Sequence, residues 1–179
     1  MVDRPLCIDA DGHVVEQRDT WIDYIDPALR DRAIRITVDE RGDEVLTEML
    51  ASGVFERHPR PRRTVLESGA TWIAAWLDRM DHKFEVICSI TPSRMKPSEH
   101  FFRRCLVSAD PDETVNAPII EAVGADYFAW ASDYPHIDAS FGVVGEISSG
   151  LTTLREEDQA KVLGLNANRF YGLEVPSLV

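Results

Sequence analysis

Four short apolar runs constrain this chain more than any other feature. They are "PLCIDA" at 5–10, "RTVLESG" at 63–69, "CLVSA" at 105–109 and "DYFAWAS" at 126–132. Each is too short for a stable helix and reads as a buried strand. Between them the period changes. From Ala70 to Ile87 the apolar residues Ile73, Trp76, Leu77, Met80 and Phe84 recur at three- and four-residue spacing, the signature of a helix packed along one face. Their aromatics are read as core packing rather than a cofactor cage. Buried strands alternating with helices build βαβ units, whose strands run parallel.

The other segments fit the same alternation. Asp19 or Thr20 can cap a helix in "DTWIDYIDPALRDR", where Asp26 precedes Pro27 at a tolerated first helical position. Ile34, Ile36 and Val38 alternate with polar residues before Arg41-Gly42-Asp43, which predicts a hairpin. Leu46, Leu50 and Val54 share one face of a helix that must end before Pro59. "SEHFFRRC" predicts a short helix, Asp112 a cap for "ETVNAPIIEAVG", and "FGVVGEI" a further helix. Thr153 and Glu156 form a capping box, and Asn166 opens a last turn through Arg169 and Tyr171.

In parallel sheets, ligands bind beyond the carboxyl ends of the strands. Here those ends carry Asp9, Asp11 and His13 after the first run and Glu67 after the second. Ser108 ends the third, and Ser132, Asp133 and His136 follow the fourth. Asp11 and His13 lie two residues apart, so on an extended segment they face one way and can reach one cation. Asp133 can add an oxygen ligand or act as the base toward a bound water, and Glu67 can add an acid or base. Quieter roles compete: a polar turn for Asp11 and His13, a helix cap for Glu67, an Asx-turn for Asp133. His58, His82 and His100 read as surface residues. No glycine-rich phosphate loop and no G-x-S-x-G motif occurs.

Five stretches, "IDADGHVVE", "ASGVFERHPRPRRTVLESGATWIAAWLDRMD", "KPSEHFFRRCLVSADPDE", "ADYFAWASDYPHID" and "KVLGLNANRFYGL", occur in an order that resembles the amidohydrolase-related family. The resemblance is to the branch that includes aminocarboxymuconate-semialdehyde decarboxylase. It implies a (β/α)8 barrel with a divalent metal, zinc or manganese, at its C-terminal face. It further implies hydrolysis of C–N or C–O bonds, or decarboxylation of small aromatic and related carboxylic acids, without redox chemistry. By the resemblance, the first-strand metal pair falls on Asp11 and His13, with a carboxylate in place of the first histidine. Asp133 takes the place of the aspartate that closes the last barrel strand, as a metal or proton-transfer residue. Glu67 stands where the decarboxylase carries a catalytic histidine, and Trp72 and His136 are assigned as substrate contacts. The implied substrate is a small carboxylic acid or amide.

A full barrel of this type takes eight strands and about 250 residues. The sequence has 179 residues and four barrel-type runs. The expected fold is therefore α/β, an incomplete (β/α)8 barrel of about four parallel strands plus an N-terminal hairpin. It forms one domain over 1–179, in which 1–46 holds the first strand, helices and hairpin and 47–179 the second-half βα units. The fifth-strand histidine ligand has no counterpart. Bare strand edges and an uncovered inner face favour pairing into a homo-oligomer. They also admit a different class of function, a non-catalytic remnant that acts in binding or subunit pairing.

Charge narrows the partners. The formal net charge is −12, which disfavours nucleic acid. The one basic cluster, "ERHPRPRR" from Glu56 to Arg63, is broken by two prolines and reads as a solvated loop. Cys7, Cys88 and Cys105 show no C-x-x-C spacing, which fits reduced, buried thiols in a cytoplasmic protein. No leader pattern and no apolar window of roughly 18 residues is present, so neither export nor a membrane span is expected.

Overall fold

The computed structural model describes residues 6–10, 53–87, 93–134 and 142–173. The expected hairpin, the residues Leu46 and Leu50, and the side chains of Asp11, His13, Cys88 and His136 lie outside them.

Among the described residues three strands form a sheet: β1 (Arg63–Val65), β2 (Cys105–Ala109) and β3 (Phe128–Trp130), in the order β1-β2-β3. All pairings are parallel, with Thr64 opposite Leu106 and Ser108 opposite Ala129. The helices are α1 (Val54–Arg57), α2 (Ile73–Ile87), α3 (Pro97–Arg104), α4 (Asn116–Val123), α5 (Val144–Gly150), α6 (Glu156–Ala160) and α7 (Asn166–Tyr171). A π-turn at Lys161–Leu165 joins the last two. Among the described residues no helix is long and apolar enough to cross a membrane.

The main core lies on one face of the sheet. Val107, Phe128 and Trp130 meet Ile73 and Leu77 of α2, Phe101 of α3, Ile120 of α4 and Ile147 of α5. Of the apolar spacing read from the sequence, Ile73 and Leu77 are buried in this core and Trp76 packs against it, while Met80 and Phe84 are only half-buried. On the other face, Leu106 and Ala129 are 2% and 0% exposed, covered by Ala167 and Phe170 of α7 with Ile8 and Ala10. The chain's own last helix covers this part of the face expected to lie bare.

The first run joins the sheet without a regular ladder. The Ala10 N–H donates to the Trp130 carbonyl at 3.0 Å, and Ile8 donates to the Leu163 carbonyl at 2.8 Å. Leu163 also accepts the Trp130 indole N–H at 3.0 Å. A π-turn breaks the ordinary helical bonding pattern, and here it coincides with this doubly used carbonyl. Gly164 makes the approach possible, since a Cβ there would sit 2.7 Å from the Leu6 carbonyl oxygen.

Three local expectations need correction. The helix of "ETVNAPIIEAVG" begins at Asn116 and Asp112 does not cap it. Pro118 has no N–H and is accommodated only in a first turn, which sets the start near Asn116. Thr153 does not form a capping box: Arg155 is extended and is itself the N-cap residue of α6, moving the start two residues onward. His58 and His82 are exposed as expected, but His100 is 1% exposed. Its ring stacks on Phe55 at 6.0 Å and its Nε2 lies 3.0 Å from the Ser93 hydroxyl, and burial pushes its pKa down. Packing against Phe55 of α1 and against Ser93 explains the burial.

Candidate active site at the carboxyl rim of the sheet

Parallel strands deliver their carboxyl ends to one side. There β1 runs into Glu67, β2 into Asp110, and β3 into Ser132 and Asp133, while residues 6–10 bring Asp9 alongside. The Asp9 carboxylate accepts the Ser132 backbone N–H at 3.1 Å and also the Ser132 hydroxyl. This clasp holds the end of the first run against the end of the fourth. Ser132 turns the following chain as well, its hydroxyl accepting the Tyr134 N–H at 3.3 Å. Ser132 thus supplies a turn contact beside Asp133.

Glu67 and Asp133 share an uncommon backbone. Their φ angles are 57° and 58°, the left-handed region that non-glycine residues rarely enter. Such conformations cost free energy and concentrate where side chains must be aimed for function. Glu67 is exposed and Asp133 half-buried.

Carboxylates from the loop after β2 hold the turn that leads into α2. The N–H groups of Ala70 and Thr71 donate to the Glu113 carboxylate at 2.7 and 3.2 Å, and Gly69 donates to Asp110 at 2.9 Å. A negative charge facing the orphan N–H groups at the start of a helix is favourable on both counts. Trp72 sits in the same turn. Its indole N–H donates to the Gly69 carbonyl at 2.9 Å and its ring meets Trp76 edge-on at 5.7 Å, so its polar atom serves the turn.

Asp110 is the rim residue the sequence reading missed. Burial, with Glu113, Asp112 and Asp133 nearby, raises its pKa to about 6 despite the Gly69 N–H that favours the anion. A carboxyl group titrating there can both give and take a proton near neutral pH. The signal was available in "SADPDE", which follows a buried strand as "IDADGH" does. Among the described residues no three His, Cys, Asp or Glu side chains gather closely enough to hold a metal ion, and two of the three assigned ligands, Asp11 and His13, are not among them.

An α/β unit of parallel strands with titratable side chains along one rim is the class of structure this geometry defines. The amidohydrolase family model matches residues 44–173, and the chain belongs to that family. Solved structures agree in fold. A 5-carboxyvanillate decarboxylase from Sphingomonas paucimobilis is 27% identical with a TM-score of 0.62, over 84% of this chain and 46% of its own. An amidohydrolase from Mycobacterium avium subsp. paratuberculosis K-10 is 21% identical with a TM-score of 0.60, over 70% of this chain and 32% of its own. A dihydroxybenzoic acid decarboxylase from Polaromonas sp. JS666, with bound manganese and the inhibitor 2-nitroresorcinol, is 19% identical with a TM-score of 0.60, over 73% and 40%. The chain thus spans less than half the length of each of these structures. No curated protein matches it significantly.

Proposed function

We propose that this chain is a metal-dependent enzyme of the amidohydrolase type, built as an incomplete barrel and acting on a small aromatic carboxylic acid. Decarboxylation is the favoured reaction and hydrolysis of a C–N or C–O bond the alternative. The observation that carries the reading is the Asp9–Ser132 clasp. It joins residue 9, two positions before the first assigned ligand, to the residue preceding Asp133. The strained backbone of Asp133 and Glu67 on the same rim adds support.

The donor set fits a divalent cation. Two carboxylates and one imidazole match the oxygen and nitrogen preferences of zinc or manganese and leave coordination positions for substrate. Bound there, the cation would supply Lewis-acid polarisation of a substrate oxygen. The rest falls to the chain. In decarboxylation the C–C bond breaks, CO2 leaves, and the bonding electrons take up a proton at the ring carbon. Asp110 is suited to provide it, since a carboxyl with a pKa raised to about 6 is partly protonated near neutral pH. Glu67, where the decarboxylase carries histidine, is the second acid–base group. Trp72 and His136 would wall the substrate. Decarboxylases among the similar structures, including one for 2,6-dihydroxybenzoate from Rhizobium at 21% identity, favour a hydroxylated benzoic acid as the substrate class.

Purified from metal-supplemented medium, the chain should hold close to one divalent ion, and His13→Ala should lose it. CO2 release from a 2-hydroxybenzoate-type acid should fall by about a hundredfold or more in Asp133→Asn, the scale expected when a ligand or acid–base group is removed. Metal-free wild-type protein with no turnover would reject the assignment.

A further inference from the structure

The amino end of the sheet, opposite the rim, holds a cavity of about 400 Å³. It is lined where Arg62 enters β1, where Cys105 and Leu106 begin β2, and where Asp126 and Tyr127 precede β3. Four arginines reach it, Arg62, Arg103, Arg104 and Arg169, against the single carboxylate of Asp126. In a chain of net charge −12, such a concentration of guanidinium groups is unexpected.

The arginines are not equivalent. Arg169 spends its charge inside the protein, donating to the Asp126 backbone carbonyl at 3.1 Å and to Asn166 Oδ1 at 3.2 Å, with the Asp126 carboxylate 3.6 Å away. Lys161 neutralises the same carboxylate at 3.2 Å. Arg104 donates to the Pro59 carbonyl, and its buried Nε has no partner among the described residues. Arg62 lies over the Phe170 ring, 4.6 Å from its centre. Neither Arg62 nor Arg103 has a carboxylate partner among the described residues, and both are exposed. Asp126 is thus already balanced from within, and the remaining positive charge faces the cavity uncompensated.

Aromatic rings stand beside this charge. Phe102 and Tyr127 meet at 4.6 Å, and Phe170 completes the wall under Arg62. Planar guanidinium forks bind carboxylate and phosphate bidentately and stack on rings, and aromatic walls favour a flat ligand. The volume falls in the range of small-molecule sites.

We propose that this cavity is a second binding site, distinct from the carboxyl rim, for a small planar aromatic anion carrying at least two negative charges. The charge sits between Arg62 and Arg103, and the ring lies toward Phe102 and Tyr127. Phosphate esters of nucleosides and aromatic polycarboxylates share this chemistry.

Titration calorimetry on the full chain tests it with three probes: AMP, benzene-1,3,5-tricarboxylate and uncharged adenosine. One or both anions should bind at one site per chain, weaken as salt is raised, and bind at least about tenfold more tightly than adenosine. Arg103→Gln and Arg62→Gln, both on exposed side chains, should each weaken anion binding by about tenfold or more, as expected for loss of a charge-assisted contact. Asp133→Asn on the rim should leave it unchanged. Binding of AMP alone, or of the tricarboxylate alone, supports the site and identifies its source. No binding by either anion overturns it, as does equal binding by the arginine variants or loss of binding in Asp133→Asn.

Discussion

At the scale of single residues, the decisive fact is where each carboxylate finds its partners. Asp110 and Glu113 sit three positions apart, yet Glu113 is committed to backbone N–H groups while Asp110 is held near the protonation boundary. The folded-state pKa of Asp110, about 6, lies above the ordinary value of 3.8. Between those values the native state binds more protons than the unfolded chain, so this group's contribution falls as pH rises through the window and is constant above it. In the metal-free protein, Asp110→Asn should therefore flatten stability against pH between about 4 and 6. It should also raise stability at pH 7 by about 1 kcal/mol, after discounting the shift for partial solvent screening. Urea titrations at pH 4, 5, 6 and 7 would read this, and an unchanged slope would disprove the coupling. Cys105 is the inert counterpart: burial pushes its thiol up to about 12, so it packs as an apolar residue.

At the scale of elements, two contacts link pieces distant in sequence. Glu113, on the loop after β2, supplies the acceptors at the start of α2. Glu113→Ala should cost about 1–2 kcal/mol, the range for loss of a helix cap, with Glu113→Gln recovering part of it. Thermal unfolding of both variants distinguishes a lost cap from a general surface effect, which Gln would not restore. The second contact is the approach of Leu6 to Gly164. A methyl group there meets backbone rather than a movable side-chain tip. Gly164→Ala should therefore displace residues 6–10 and destabilise by about 1–3 kcal/mol, as overpacking does. Hydrogen exchange at Ile8 and Ala10 should rise selectively, since their N–H groups bond to Leu163 and Trp130.

At the scale of the whole molecule, the question is how both faces of the described parallel sheet are covered. One face meets α2 through α5, and Leu106 and Ala129 on the other are closed by α7 and residues 6–10. Leu106→Ala should destabilise by about 2–4 kcal/mol, the scale for a buried leucine. Chemical denaturation at several protein concentrations would show whether that loss depends on association. A midpoint independent of concentration means α7 suffices to cover this face, whereas a rising midpoint supports the pairing expected from the bare edges.

Much of the fold was legible beforehand because its signals are local. "CLVSA" coincides with β2, and the spacing of Ile73 and Leu77 marks the buried face of α2. The rim could be anticipated from strand ends alone, and Glu67 and Asp133, named from those ends, both carry left-handed backbone. What depended on contacts between remote segments was not legible. Asp110 and Glu113 divide their roles according to whether Gly69 or Ala70 and Thr71 come near, 41 to 43 positions away. His100 was placed at the surface because an isolated histidine gives no sign that Phe55 and Ser93, remote or outside its helix, will cover it. The basic cluster "ERHPRPRR" read as a solvated loop, and only the meeting of the strands' amino ends gathers its Arg62 with Arg103 and Arg104 around one cavity. The sequence by itself determined β1 to β3, the helical periods and the family, because periodicity and motif order are properties of neighbouring residues, whereas the first run, expected as a strand, joins Trp130 and Leu163 without forming one. The tertiary structure alone decided which charges are partnered and which face open space, because that balance depends on burial and on distances across the sheet.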